Sequence, residues 1–170
     1  MAFRLFIFLL SLSISCVSFA QTEVQHQHSI RADLVKVDKS KRRMYLLFQG
    51  EVFKQYRIAL GKSPKGHKLQ EGDQRTPEGR YYLDEILPES QFYRAMKLNY
   101  PNLRDKRRAE ADGVDPGGDV EIHGLKEGFN GDPNFIQSFD WTNGCIALTN
   151  QEMDEFITLV PIGTPIEIEW

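Results

Sequence analysis

The chain is poor in cysteine: 170 residues hold two, Cys16 and Cys145. That scarcity excludes a disulfide-stapled scaffold. No CxxC or HxxxH pairing occurs, so a zinc site built on one Cys and one His would lack two ligands. Charge of one sign is not in excess either. Lys and Arg number 21 and Asp and Glu 24, a formal net charge of −3. A nucleic-acid binder draws on a basic surplus, and none is present. No repeat and no low-complexity tract is visible, which removes solenoids and arrays. No apolar run reaches the ~20 residues that a membrane span requires.

What remains is ordinary globular composition: 41% hydrophobic, 26% charged, 13 Gly and 8 Pro. One soluble domain of this length buries roughly two thirds of its unfolded surface and folds without staples. The first residues are organised differently. Met1-Ala2-Phe3-Arg4 carries one positive charge, Leu5 to Leu12 is almost wholly apolar, and Ser18-Phe19-Ala20 places small residues before a cut at Gln21. This is the three-part pattern of a secretory signal peptide over residues 1–20. A membrane anchor is the alternative, and so is a lipoprotein acylated at Cys16, although Ser13 stands where a lipobox usually has Leu. Residues 21–31 read as a flexible leader, with His26 and His28 as solvated tail residues. Residues 32–170 are then the domain, and Cys145 its single thiol.

From Ala32 the apolar residues recur with period two. Leu34, Val35 and Val37 form one run and Met44 to Phe48 another, with Lys39-Ser40-Lys41 as a hairpin turn between them. Val52 to Leu60 continues the alternation, and an antiparallel sheet is expected. Gly61 to Gly79 contains too much Gly and Pro for a regular element, and loops of that length are often functional. Arg80 to Ile86 resumes a strand. Asn102 to Ala111 reads as a charged helix, capped by Asn102, stopped by Gly113, with Asp105 and Arg108 pairing on a solvated face. Asp119 to Ile122 is a short strand ending at His123. Thr149 and Glu152 form a capping box, and Met153, Phe156, Ile157 and Val160 follow at helical spacing. Ile166 to Trp170 is the last strand. The fold class expected is mostly β with two short helices in a single domain.

Two segments carry chemistry. Ile122-His123-Gly124 ends a strand, and Trp141-Thr142-Asn143-Gly144-Cys145-Ile146 precedes the capped helix. A His beside a Cys in a Gly turn is what a thiol nucleophile needs: the imidazole takes the proton, and an imidazolium depresses the thiol pKa. Gly144 permits close approach of a substrate, and the Gly144 and Cys145 N–H groups are candidate oxyanion donors. The competing reading is a buried structural Cys and a His satisfied by a carbonyl. In the long loop, His67, Lys68 and Arg75 are candidate substrate-binding cations for carboxylates. The alternative there is that Asp73 and Arg75 merely pair and order the loop.

These residues bear a resemblance. His123-Gly124 followed by Thr142-Asn143-Gly144-Cys145-Ile146 resembles the signature of the L,D-transpeptidase catalytic domain, the YkuD or ErfK family. Gly72-Asp73, Arg75-Thr76-Pro77-Glu78-Gly79 and Tyr100-Pro101-Asn102 resemble further family segments. Pro116-Gly117-Gly118-Asp119 and Asp140-Trp141-Thr142 resemble its YafK-like branch. The resemblance runs from about Leu34 to Trp170. It implies a β-sandwich-like fold and a setting in the periplasm or cell wall, reached across the inner membrane. It also implies acyl transfer at the diaminopimelate–D-alanine bond of peptidoglycan tetrapeptide stems.

Carried over by position, Cys145 is the nucleophile and His123 the base. Gly144, Thr142 and Asn143 form the oxyanion turn, and Gly124 belongs with the substrate-binding residues. No metal and no organic cofactor is implied. The partners implied are stem peptides and, as one alternative, a protein covalently attached to murein; nucleic acid is not among them. The alternatives in function are L,D-carboxypeptidase action, murein–protein amidase action, or a binding module without turnover. Asn143 and Ala147 depart from the residues many members have there. The stretch between His123 and Cys145 is also longer than in many members, and suggests a lid from Leu125 to Phe139.

Overall fold

The computed structural model describes residues 30–170; the signal-peptide expectation and nearly all of the leader fall outside the described residues. The first strands form where the period-two pattern predicts. They are β1 (Leu34–Asp38), β2 (Arg43–Phe48) and β3 (Glu51–Arg57). Val35 and Val37 of β1 and Met44 and Leu46 of β2 point inward and are fully buried. Each such side chain contributes about 1.5–3 kcal/mol by leaving water.

The fourth strand, β4 (Gly79–Ser90), is longer than the pattern indicates. It returns as β5 (Tyr93–Leu98), a strand the sequence reading passes over. Then follow α1 (Leu103–Asp112), β6 (Glu121–His123), α2 (Pro133–Ile136), β7 (Ile146–Ala147), α3 (Asn150–Leu159) and β8 (Pro165–Glu169). The caps sit as expected. Asn102 accepts from the α1 backbone, Gly113 ends that helix with φ +66°, and Thr149 with Glu152 closes a capping box on α3. The helices number three among the described residues, not two, because Asp132 and Pro133 start a single turn inside the expected lid.

The sheet order is β3-β2-β1-β8-β4-β5-β6-β7. It is mixed, not purely antiparallel as the alternation suggested: β1 pairs with β8, and β6 with β7, in parallel. Both parallel pairs unite strands far apart in sequence, which a local pattern cannot report. Beyond β3, the chain crosses to the opposite end of the sheet. Ala59 bridges Ala147, and Gly61 bridges Thr142. The eight strands thus wrap around one core that includes Tyr56, Leu60, Tyr81, Leu83, Met96, Ile122 and Phe156. The two strand ends that carry His123 and Cys145 meet at this closure.

Candidate active site

His123 ends β6 and is buried. Its ring stacks on Phe92 with centroids 4.4 Å apart and meets the edge of Trp141 at 5.6 Å. Nδ1 lies 2.7 Å from the Gly124 carbonyl oxygen. A carbonyl accepts only, so Nδ1 carries the proton and Nε2 is left basic. Burial lowers the pKa of the ring, so the neutral imidazole is favoured.

Cys145 precedes β7. The register Ile122↔Ile146 sets it beside β6. The thiol is partly exposed and donates to the Asp119 carbonyl at 3.5 Å. Burial pushes its pKa up to about 11. This is opposite to the depressed thiol that the sequence reading expected. Among the described residues no hydrogen bond joins Sγ to the imidazole, and the nearby Lys68 ammonium favours the thiolate too weakly to offset burial. The resting pair is thiol and neutral imidazole.

The turn before Cys145 is tightly specified. Thr142 Oγ1 donates to the Cys145 carbonyl at 2.7 Å and accepts the Gly144 N–H at 3.1 Å. The Gly144 N–H is therefore already engaged. Gly144 has φ +136°, and a Cβ there would stand 2.8 Å from the Arg75 carbonyl oxygen. Asn143 is exposed at the mouth. Gly124 has no space for a side chain: a Cβ would lie 2.7 Å from Asn150 Oδ1 and 3.1 Å from the Phe92 carbonyl. It packs behind the imidazole and does not line the cleft.

A cleft of about 670 Å³ opens over this pair, lined among others by Lys62, Phe92, Lys97, Glu121, Trp141 and Asn143. Its upper wall is the β4–β5 tip, with Gln91 and Phe92. No residue of Leu125–Phe139 lines it, so that segment is not a lid over the thiol. Instead Gln137 Nε2 donates to the Ala147 carbonyl, and the segment braces β7 from the side.

The long loop keeps His67, Lys68 and Arg75 out of the cleft lining, although Lys68 Nζ backs the Gly144 turn. His67 accepts the Glu78 N–H through Nδ1 and lies 3.1 Å from Asp105 through Nε2. It lines a separate hollow beside α1. The Asp105–Arg108 pair is not on a solvated face, because Asp105 is buried. Lys68 is buried and paired with Asp73 at 3.0 Å. Asp73 orders the loop through Lys68 and the Arg75 N–H, not through the Arg75 guanidinium. The Arg75 carbonyl packs against Gly144 of the Cys turn, while its guanidinium lies toward Gly66. The residue that fastens the loop is Lys39, fully buried, with Nζ donating to the carbonyls of Gly66 and Thr76 at 2.8 Å and to Glu78 Oε1 at 2.9 Å. The sequence reading took Lys39 only as a turn residue. Among the described residues, no group of three His, Cys, Asp or Glu side chains is placed to hold a metal ion.

The L,D-transpeptidase catalytic domain family, YkuD, matches residues 32–168. This chain belongs to that family. YafK of Escherichia coli (strain K12), provisionally named an L,D-transpeptidase, is 25% identical over 175 residues. The match takes in 92% of this chain and 63% of YafK, so the chain spans under two thirds of that relative's length.

Among solved structures, the helical cell shape determining protein Pgp2 from Campylobacter jejuni is similar at 28% identity and a TM-score of 0.60. That likeness covers 80% of this chain and 46% of Pgp2. Bd1075 of Bdellovibrio bacteriovorus is 25% identical with a TM-score of 0.55, over 80% of this chain and 47% of its own. An L,D-transpeptidase of Enterococcus faecium, at 17% identity and a TM-score of 0.54, covers 82% of this chain and 50% of its own and shares the fold.

Proposed function

We propose that this domain is a cysteine-dependent acyltransferase of peptidoglycan stem peptides, cutting the diaminopimelate–D-alanine bond of tetrapeptides as an L,D-transpeptidase. The observation that carries the reading is the meeting of Cys145 and a His123 with free Nε2 in one cleft, held there by the Thr142–Gly144 turn. Family membership supports it. Export by a signal peptide over residues 1–20, to the periplasm or cell wall, belongs to the same proposal. The cell-shape role in the name of Pgp2 agrees with a wall substrate.

In this mechanism substrate binding brings the thiol from Asp119 toward the imidazole. His123 Nε2 takes the Sγ proton as sulfur attacks the carbonyl carbon of the stem's third residue. Thr142 occupies the Gly144 N–H, so the Cys145 N–H is the turn's donor to the oxyanion. Collapse breaks the C–N bond, D-alanine leaves with the proton held by His123, and a thioester remains on Cys145. An amine acceptor then yields a cross-link, and water yields a tripeptide. Because the thiol is neutral at rest, proton removal is coupled to attack.

The test is product analysis by mass spectrometry with a disaccharide-tetrapeptide. Release of one alanine, absent in Cys145→Ala, is expected. Intact tetrapeptide with the wild-type protein would contradict the proposal. The ratio of cross-linked dimer to tripeptide separates transfer from hydrolysis.

A further inference from the structure

The sheet face beneath the cleft carries one side chain per strand in a row that ends at the nucleophile. The register pairs Glu85 of β4 with Lys97 of β5, and Lys97 with Glu121 of β6. The β6–β7 register, followed one residue back from Ile122 and Ile146, puts Cys145 next. Neighbouring strands lie about 4.7–4.9 Å apart, so each side chain of the row adjoins the next.

The row is unevenly paired. Lys97 Nζ is 3.7 Å from Glu85 and 3.4 Å from Asp119. Asp119 is largely exposed. Glu121 is half-buried, lines the cleft, and stands between Lys97 and the thiol. Among the described residues its carboxylate makes no hydrogen bond and no ion pair. Burial raises its pKa, the usual result when a carboxylate is desolvated without a partner. A lone carboxylate here weakens the site twice over. It is poorly solvated, and its charge opposes a thiolate one strand away. A cation seated between the two relieves both.

Resting on the reaction proposed above, we infer that Glu121 binds the free side-chain ammonium of the stem's third residue, the residue whose carbonyl Cys145 attacks. Of the two carboxylates that line the cleft, Asp119 is exposed and paired with Lys97, which leaves Glu121 as the half-buried one without an ion pair among the described residues, a point that favours positive charge. Diaminopimelate carries such an amine. A stem whose amine has already been converted to an amide has no charge to offer and is disfavoured. The substrate class is thus the stem that is not yet cross-linked through its third residue.

The experiment uses the full chain carrying Cys145→Ala, which binds without turnover. Two tetrapeptides differ only in acetylation of the third residue's side-chain amine, and affinities are read by calorimetry. The free-amine peptide is expected to bind about tenfold tighter, the worth of one charge-assisted hydrogen bond. Adding Glu121→Gln is expected to bring the two affinities within twofold of each other, while Glu121→Asp keeps a preference. Equal affinities in the Cys145→Ala protein, or a preference that survives Glu121→Gln, would overturn the inference while leaving the proposed reaction standing. Failure of both peptides to bind would overturn the reaction itself and this inference with it.

Discussion

The imidazole Nδ1 of His123 lies 2.7 Å from the carbonyl oxygen of Gly124, the residue that follows it. This contact fixes the tautomer from within the same turn. It leaves Nε2 as the basic nitrogen, and Phe92 stacked on the ring keeps the imidazole from rotating away.

Replacing His123 by Gln is therefore expected to remove the base and keep the packing against Phe92. Turnover should fall by about 10²–10⁴-fold, the usual contribution of general base catalysis. Burial lowers the His123 pKa, so protonation switches the base off only at a pH below its ordinary 6.5. The acid limb of the kcat/KM profile should accordingly lie below that value. A limb above pH 7 would contradict the burial account.

The thiol makes the opposite prediction from that of a preformed ion pair. With a pKa pushed up to about 11, Cys145 has less thiolate at neutral pH than an ordinary cysteine. Alkylation of the native protein by iodoacetamide should be slow at pH 6 to 8. It should climb with pH through a midpoint near 11, with Cys145→Ala as the blank. Reaction at pH 6 faster than that of a free thiol would show a resting thiolate.

Much of this site was legible before folding, and the reason is local. His123-Gly124 and Thr142 to Cys145 are contiguous motifs, and Asn102, Gly113, Thr149 and Glu152 act within one helical turn of themselves. The rest depended on contacts distant in sequence. Phe92 has no neighbour in the chain that marks it as a platform for His123. Glu121 looks like any strand carboxylate until the register sets it beside Cys145. The β5 and β7 strands are specified by their partners more than by alternation. In the long loop, the pattern of cations was visible but the side of the loop each one faces was not.

Lys39 illustrates the cost of such hidden contacts. Its buried ammonium serves Gly66, Thr76 and Glu78 together. Lys39→Met should leave three acceptors without their donor and destabilise the protein by about 2–4 kcal/mol. Urea unfolding measures the loss. Hydrogen exchange should show the greatest loosening in residues 62–78, the loop that abuts Gly144.

Gly144→Ala tests the turn directly. The new methyl would meet the Arg75 carbonyl at 2.8 Å from a backbone with φ +136°. A strain of about 1–3 kcal/mol is expected, along with loss of turnover as the Cys145 N–H is displaced. Wild-type activity in this variant would mean that the turn does not hold the oxyanion.

The central claim is that Cys145 itself carries the acyl group. Intact-protein mass spectrometry after rapid acid quenching of the protein with a disaccharide-tetrapeptide tests it most directly. The account predicts an adduct equal to the muropeptide less one alanine, located on Cys145, absent in Cys145→Ala and accumulating in His123→Gln only slowly. Release of alanine without any adduct on Cys145, or release that persists in Cys145→Ala, would contradict it.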